Sequence, residues 1–153
     1  MKTFPWQKQK EFFSAEEKQR VVTAIQKAEQ RTSGEVRVFI ESRCRFVDAI
    51  DRAKELFFQL SMDKTAERNG TIVYVAVKDR QAAVFGDEGI HQKVGQKYWE
   101  DAVNKMMVCF KQANLADGIE QAVFTIGEAL YQNFPYNRET DKNELPDDIV
   151  FGR

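Results

Sequence analysis

The longest apolar run in the chain, Thr71-Ile72-Val73-Tyr74-Val75-Ala76-Val77, has the length of a strand and the β-branched, aromatic make-up of one buried on both faces. A polar stretch, Lys78-Asp79-Arg80-Gln81, of hairpin-connection length separates it from a shorter run, Ala82-Ala83-Val84-Phe85. That second run stops at Gly86-Asp87-Glu88-Gly89. Upstream, Glu35 to Glu41 alternates as a strand should, with Val36, Val38 and Ile40 on one face and Arg37 and Phe39 on the other.

Helical spacing fills the intervals. Ser14-Ala15-Glu16-Glu17 has the form of a capping box, in which the Ser14 hydroxyl accepts from the Glu17 N–H and the Glu17 carboxylate reaches back. Val21, Ile25 and Ala28 then make one apolar face, and the helix ends near Thr32-Ser33-Gly34, where Gly34 can take a positive φ. A second helix is expected from about 47 to 60, with Ile50, Ala53, Phe57 and Leu60 inward. After Gly89, the positions Ile90, Val94, Tyr98 or Trp99, Val103, Met106 and Phe110 keep a helical period that Gly95 breaks or kinks near its start. Leu115, Ile119, Val123, Ile126 and Leu130 mark a last helix, along which Gly118, Ala122 and Gly127 allow close packing.

The order helix, strand, helix, strand, strand, helix, helix predicts an α/β fold: a small mixed β-sheet between helices on both faces. The strand–helix–strand step gives a parallel crossover, and the hairpin adds an antiparallel strand. A chain of 153 residues suits one domain over 1–153. The expected arms are a basic, aromatic one at 1–13, pinned by Trp6, Phe12 and Phe13, and an acidic, Pro-containing one at 134–153 that packs on the body.

Charge narrows the function classes. With 23 Lys plus Arg against 24 Asp plus Glu, interspersed, there is no footprint for nucleic acid or an anionic membrane. No apolar run reaches a membrane span, and the first eight residues lack the apolar core of a signal peptide, so a cytoplasmic monomer is expected. Cys44 and Cys109 match no ligand or redox spacing and read as free thiols, Cys109 in a helix interface.

Candidate chemistry is sparse. One histidine, His91, expected on a solvated helix face, rules out a multi-histidine metal site, and there is no G-x-S-x-G, P-loop or G-x-G-x-x-G. The acidic run Asp141 to Asp148 superficially resembles the start of a calcium loop, but Pro146 stands where the turn glycine belongs. The strongest local candidate is Gly86-Asp87-Glu88-Gly89, between a strand and a helix. Asp87 and Glu88 can supply oxygen ligands to a hard cation such as Ca²⁺ or Mg²⁺, or Asp87 can cap the helix that follows. Capping is the commoner use of so short a motif. Glu35, at a strand start, and Asp117, in the first turn of the last helix, complete a carboxylate cluster if the fold brings them to the same place.

Three segments in order resemble a known family. Thr32-Ser33-Gly34-Glu35-Val36-Arg37-Val38, Asn69-Gly70-Thr71-Ile72-Val73-Tyr74-Val75-Ala76 and Gly86-Asp87-Glu88-Gly89-Ile90 are similar to the TPM domain family. Trp99, Asp117-Gly118-Ile119, Ile126-Gly127 and Asn143-Glu144-Leu145-Pro146-Asp147 resemble its short bacterial cytosolic branch. The resemblance implies a Rossmann-like α/β sandwich and a divalent-cation site near the strand ends, with Asp87 the best-matched ligand and Asp117 and Glu35 behind it. A phosphatase activity, proposed for some relatives, is the alternative it implies; a protein-interaction module using either arm is a second. Relatives often carry an acid early in the helix after the glycine loop, where this chain has Gln96 and Lys97. A lysine there would weaken a cation by like-charge repulsion.

Overall fold

Strand β1 (Glu35–Glu41) is buried along its whole length, because it lies inside the sheet. The computed structural model describes residues 13–45, 48–112, 114–136 and 149–152. Within them the order is α1 (Ala15–Gln30), β1, α2 (Ala49–Gln59), β2 (Gly70–Ala76), β3 (Gln81–Gly86), α3 (Glu88–Val94), α4 (Gln96–Lys111), α5 (Leu115–Asn133) and β4 (Ile149–Phe151). The sheet runs β3-β2-β1-β4. β1 pairs in parallel with β2, Glu35 opposite Gly70, and β2 pairs antiparallel with β3, Thr71 opposite Gly86. The mixed sheet with helices on both faces is therefore present as the hydrophobic pattern predicted.

Strand alternation divides the interior into two cores. Val36, Val38, Ile40, Val73, Val75 and Val84 face a thick layer built from α1, α3, α4 and α5. Phe39, Ile72, Tyr74, Ala76 and Ala83 face α2 and Met62. In the thick layer α5 packs on both α1 and α4. None of the described helices is long and apolar enough to cross a membrane.

Most helix signals act as expected. The Ser14–Glu17 capping box forms, with both reciprocal bonds, and Val21, Ile25 and Ala28 are buried. Two details differ, and the break expected at Gly95 is found. Gly34 does not take a positive φ; α1 closes at Arg31 with helical dihedrals. Gly34 instead packs closely on α5, where a Cβ would lie 2.6 Å from Leu130 Cδ2 and the leucine side chain would have to shift. The helical pattern after Gly89 is two helices, because Gly95 sits at φ 81 between α3 and α4. Finally, Ile149–Phe151 forms a fourth strand, parallel to β1 with Val38 opposite Ile149. Within the expected arms, residues 1–12 and 137–148 lie outside the described residues, as do Trp6 and Phe12. Phe13 is buried and meets Phe151 edge to face, ring centroids 6.2 Å apart. Neither Cys44 nor Cys109 forms a disulfide among the described residues.

Candidate functional site

The amino ends of β1 and β2 and the carboxyl end of β3 share one end of the sheet. Glu35 opens β1 opposite Gly70, and the Gly70 carbonyl accepts a hydrogen bond from the Asp87 N–H, 2.9 Å away. Asp87 follows Gly86 directly and caps α3, with its Oδ1 accepting from the Glu88 N–H at 2.8 Å. The cap reading of Asp87 is thus realised, with the carboxylate almost wholly buried.

The same carboxylate has a second partner, which the sequence did not single out. Arg68 Nε donates to Asp87 Oδ2 at 2.7 Å and Arg68 Nη2 donates to Oδ1 at 2.9 Å, a two-pronged pair. Arg68 Nη1 lies 3.4 Å from Glu88 Oε1. Two carboxylates therefore converge on one guanidinium. The hydrogen bond to Asp87 raises the Arg68 pKa above its ordinary value, against the opposing effect of burial.

Backbone geometry holds Arg68 in place. Its φ is 50°, a left-handed value, and its carbonyl accepts from the Gly89 N–H at 2.8 Å. A Cβ on Gly89 would stand 2.2 Å from the Glu67 carbonyl oxygen and 2.6 Å from that of Arg68, so only glycine permits this approach. Behind it, Asn69 donates to Ser33 Oγ at 3.1 Å, and Ser33 Oγ donates to Glu67 Oε2 at 3.2 Å. His91 of α3 is half-buried rather than solvated: its Nδ1 accepts from the Trp99 indole N–H at 2.9 Å, which ties α3 to α4.

The other sequence candidates fall at different distances from this corner. Glu35 is buried at the same sheet end, two strands across from Asp87. It lies beside Arg37, whose guanidinium pKa is lowered by burial and supported by the charges of Glu29 and Glu35. Asp117 is elsewhere. It lies in the first turn of α5, and it and Glu120 bind Arg20 of α1 along the groove between those helices. The far end of α5 meets β1, where Leu130 packs on Gly34. Thirteen helical residues separate the two points, roughly 20 Å at the α-helical rise. Among the described residues no group of three or more His, Cys, Asp or Glu is placed to hold a metal ion. Gln96 and Lys97 open α4 on its exposed side.

A further polar cluster, not anticipated, occupies the opposite end of the sheet. Arg52 of α2 grips Glu41 through Nε at 2.9 Å and Nη2 at 3.1 Å, and the buried Tyr74 hydroxyl donates to Glu41 Oε2. Burial, then the bond to Glu41, drives the Tyr74 pKa far above that of a free phenol. Asp79 accepts from the Cys44 N–H at 2.7 Å and from Arg43 Nη1 at 3.1 Å, which fastens the loop after β1 to the hairpin turn. Open parallel sheets place ligands at the carboxyl ends of their strands. By that rule this second end, and not the Asp87 corner, is the conventional position. Its carboxylate is fully engaged by internal donors.

Comparison with known proteins gives a consistent result. The TPM domain profile matches residues 7–129. The NMR structure of the BA42 protein from the psychrophilic bacterium Bizionia argentinensis is 39% identical, with a TM-score of 0.83, over 92% of this chain and 96% of that one. The N-terminal domain of the cg2496 protein from Corynebacterium glutamicum is 14% identical, with a TM-score of 0.59, over 90% of this chain and 80% of that one, a likeness of fold alone. No curated protein matches the chain.

Proposed function

Because the chain belongs to the TPM domain family, we propose that it is a cation-binding protein that takes Ca²⁺ or Mg²⁺ at the Asp87–Glu88 corner, without a reaction of its own. The observation that supports this reading is the convergence of Asp87 and Glu88 on a single positive group, Arg68. A place already shaped around a positive charge, lined by hard oxygen donors, has the donor chemistry that these cations require. Glu35 adds negative charge from the same sheet end, offset by the neighbouring Arg37. Asp117 binds Arg20 and takes no part. With only two carboxylates at the corner, binding is expected to be weak, on the order of 10⁻⁴ to 10⁻³ M, the loose end of the calcium-site range.

The test is a ¹⁵N NMR titration of metal-stripped protein with Ca²⁺ and then Mg²⁺. Saturating shifts centred on residues 86–89, abolished in Asp87→Asn, are expected. Flat spectra at millimolar cation would overturn the proposal. Cation-dependent cleavage of a generic phosphoester, lost in Asp87→Asn, would overturn its second half and make the protein a phosphohydrolase.

A further inference from the structure

Asn69 is the only asparagine of the chain that is followed by glycine. In such a pair the Gly70 nitrogen, unshielded by a side chain, can attack the Asn69 side-chain carbon Cγ. The new N–Cγ bond closes a succinimide as the Cγ–Nδ2 bond breaks. Nδ2 leaves as ammonia, its third hydrogen balanced by the proton lost from the Gly70 nitrogen. Water then opens either imide C–N bond and leaves aspartate or isoaspartate. We propose that Asn69–Gly70 is a latent self-modification site, held inert by the fold and reacting only when the amino end of β2 opens.

Three restraints hold the pair. Asn69 is 1% exposed, so water and hydroxide are kept from its side chain. Its Nδ2 donates to Ser33 Oγ at 3.1 Å and its backbone N–H donates to Thr65 Oγ1 at 3.2 Å, which fixes side chain and main chain separately. Gly70 is paired in the ladder opposite Glu35, and its carbonyl accepts from the Asp87 N–H at 2.9 Å. The peptide between the two residues therefore cannot rotate to bring its nitrogen onto Cγ.

Packing explains why so reactive a pair stands here. A Cβ on residue 70 would lie 2.9 Å from the Met62 carbonyl oxygen, a backbone atom, so the position takes glycine. Asn69 in turn joins Ser33, before β1, to Thr65, before β2. The reaction undoes this join. Aspartate lacks the Nδ2 donor, and Asn69 Oδ1 is buried with no donor among the described residues. A carboxylate there would meet only the Ser33 hydroxyl that already serves Glu67, and a buried charge so poorly bonded destabilises the fold. Isoaspartate also lengthens the main chain by one methylene where β2 begins to pair with β1. Each opening that ends in reaction leaves a chain that closes less well.

The experiment holds the full chain at mildly alkaline pH, folded in one arm and unfolded in guanidinium chloride in the other. Mass spectrometry of the tryptic peptide 69–78 then follows the one-dalton gain that marks amide-to-acid conversion, with Asn104 and Asn114 as internal references. Unfolded chains are expected to react at Asn69 well ahead of the references. Folded chains are expected to react at least about a hundredfold more slowly, because the rate is scaled by the fraction of time the strand end is open. Ser33→Ala, which frees Asn69 Nδ2, is expected to speed the folded-state reaction several-fold, beyond any loss of global stability read from its urea midpoint. Modified protein, separated by its added negative charge, is expected to unfold at lower urea than unmodified protein. Equal rates in the two arms, or a folded-state rate that Ser33→Ala moves no further than its global stability requires, would overturn the lock. An unchanged urea midpoint after modification would overturn the damage assigned to it, and an unfolded chain inert at Asn69 would overturn the site itself.

Discussion

Arg68 and Asp87 are unequal partners, and the inequality predicts how each tolerates replacement. Asp87→Asn keeps a helix cap and leaves a guanidinium that can reach water. Arg68→Met leaves a buried carboxylate with one backbone donor, which is the costlier orphan. Arg68→Met is therefore expected to lower the urea midpoint more than Asp87→Asn. Tyr74 gives a pH test. Its folded pKa is raised, so the native state holds a proton that the unfolded chain releases near pH 10, and stability falls as pH rises above about 10. Tyr98, raised by burial and then by Glu128, adds to the same limb. Tyr74→Phe should cost about 2 kcal/mol at pH 7, for the lost bond to a carboxylate, and flatten the alkaline fall seen by urea unfolding between pH 8 and 11. Neither network was legible in the sequence. Arg68 meets Asp87 across 19 residues, and Tyr74 meets Glu41 across 33. No local spacing rule reaches so far. The available signal was only that Tyr74 brings a hydroxyl into the longest apolar run of the chain.

At the scale of elements, the join between α3 and its neighbours is where glycine matters most. Gly95 stands at φ 81 and ψ 168, a conformation nearly confined to glycine, with open space around it, so Gly95→Ala should cost only backbone strain, about 1–3 kcal/mol. Gly89→Ala meets two backbone carbonyls that cannot yield, and thermal melts should show the larger loss. The capping box, the β2–β3 hairpin and the helical faces were legible because each is a local pattern set by hydrogen-bond reach or side-chain period. The strand β4 was not. Ile149-Val150-Phe151 is too short to show alternation, and its partner, β1, lies more than a hundred residues earlier. Gly34 was read as a helix-ending glycine, whereas its close neighbour, Leu130, comes from a helix 96 residues on.

Across the whole molecule, the sheet ends divide the polar groups. One end carries Glu35, Arg68, Asp87 and Glu88; the other carries Glu41, Arg52, Tyr74 and Asp79. Sequence offered Glu35 and Asp117 as partners of Asp87 and Glu88 only on condition that the fold joined them, because it could not show that α5 directs its two ends to opposite sides of the fold. The β4 edge offers a test of how much the distant pairing contributes. Phe151→Ala removes a half-buried ring from Phe13 and Lys18 and should cost about 1–2 kcal/mol by urea unfolding. The placement of α5 between α1 and α4 bears on biosynthesis. As the chain leaves the ribosome, the Val36–Val38–Ile40 and Val73–Val75 face is only partly covered, by α1 and then by α3 and α4, until residues 115–133 complete the layer. Nascent chains arrested before that point are expected to hold trigger-type chaperones, and those arrested well after it to release them.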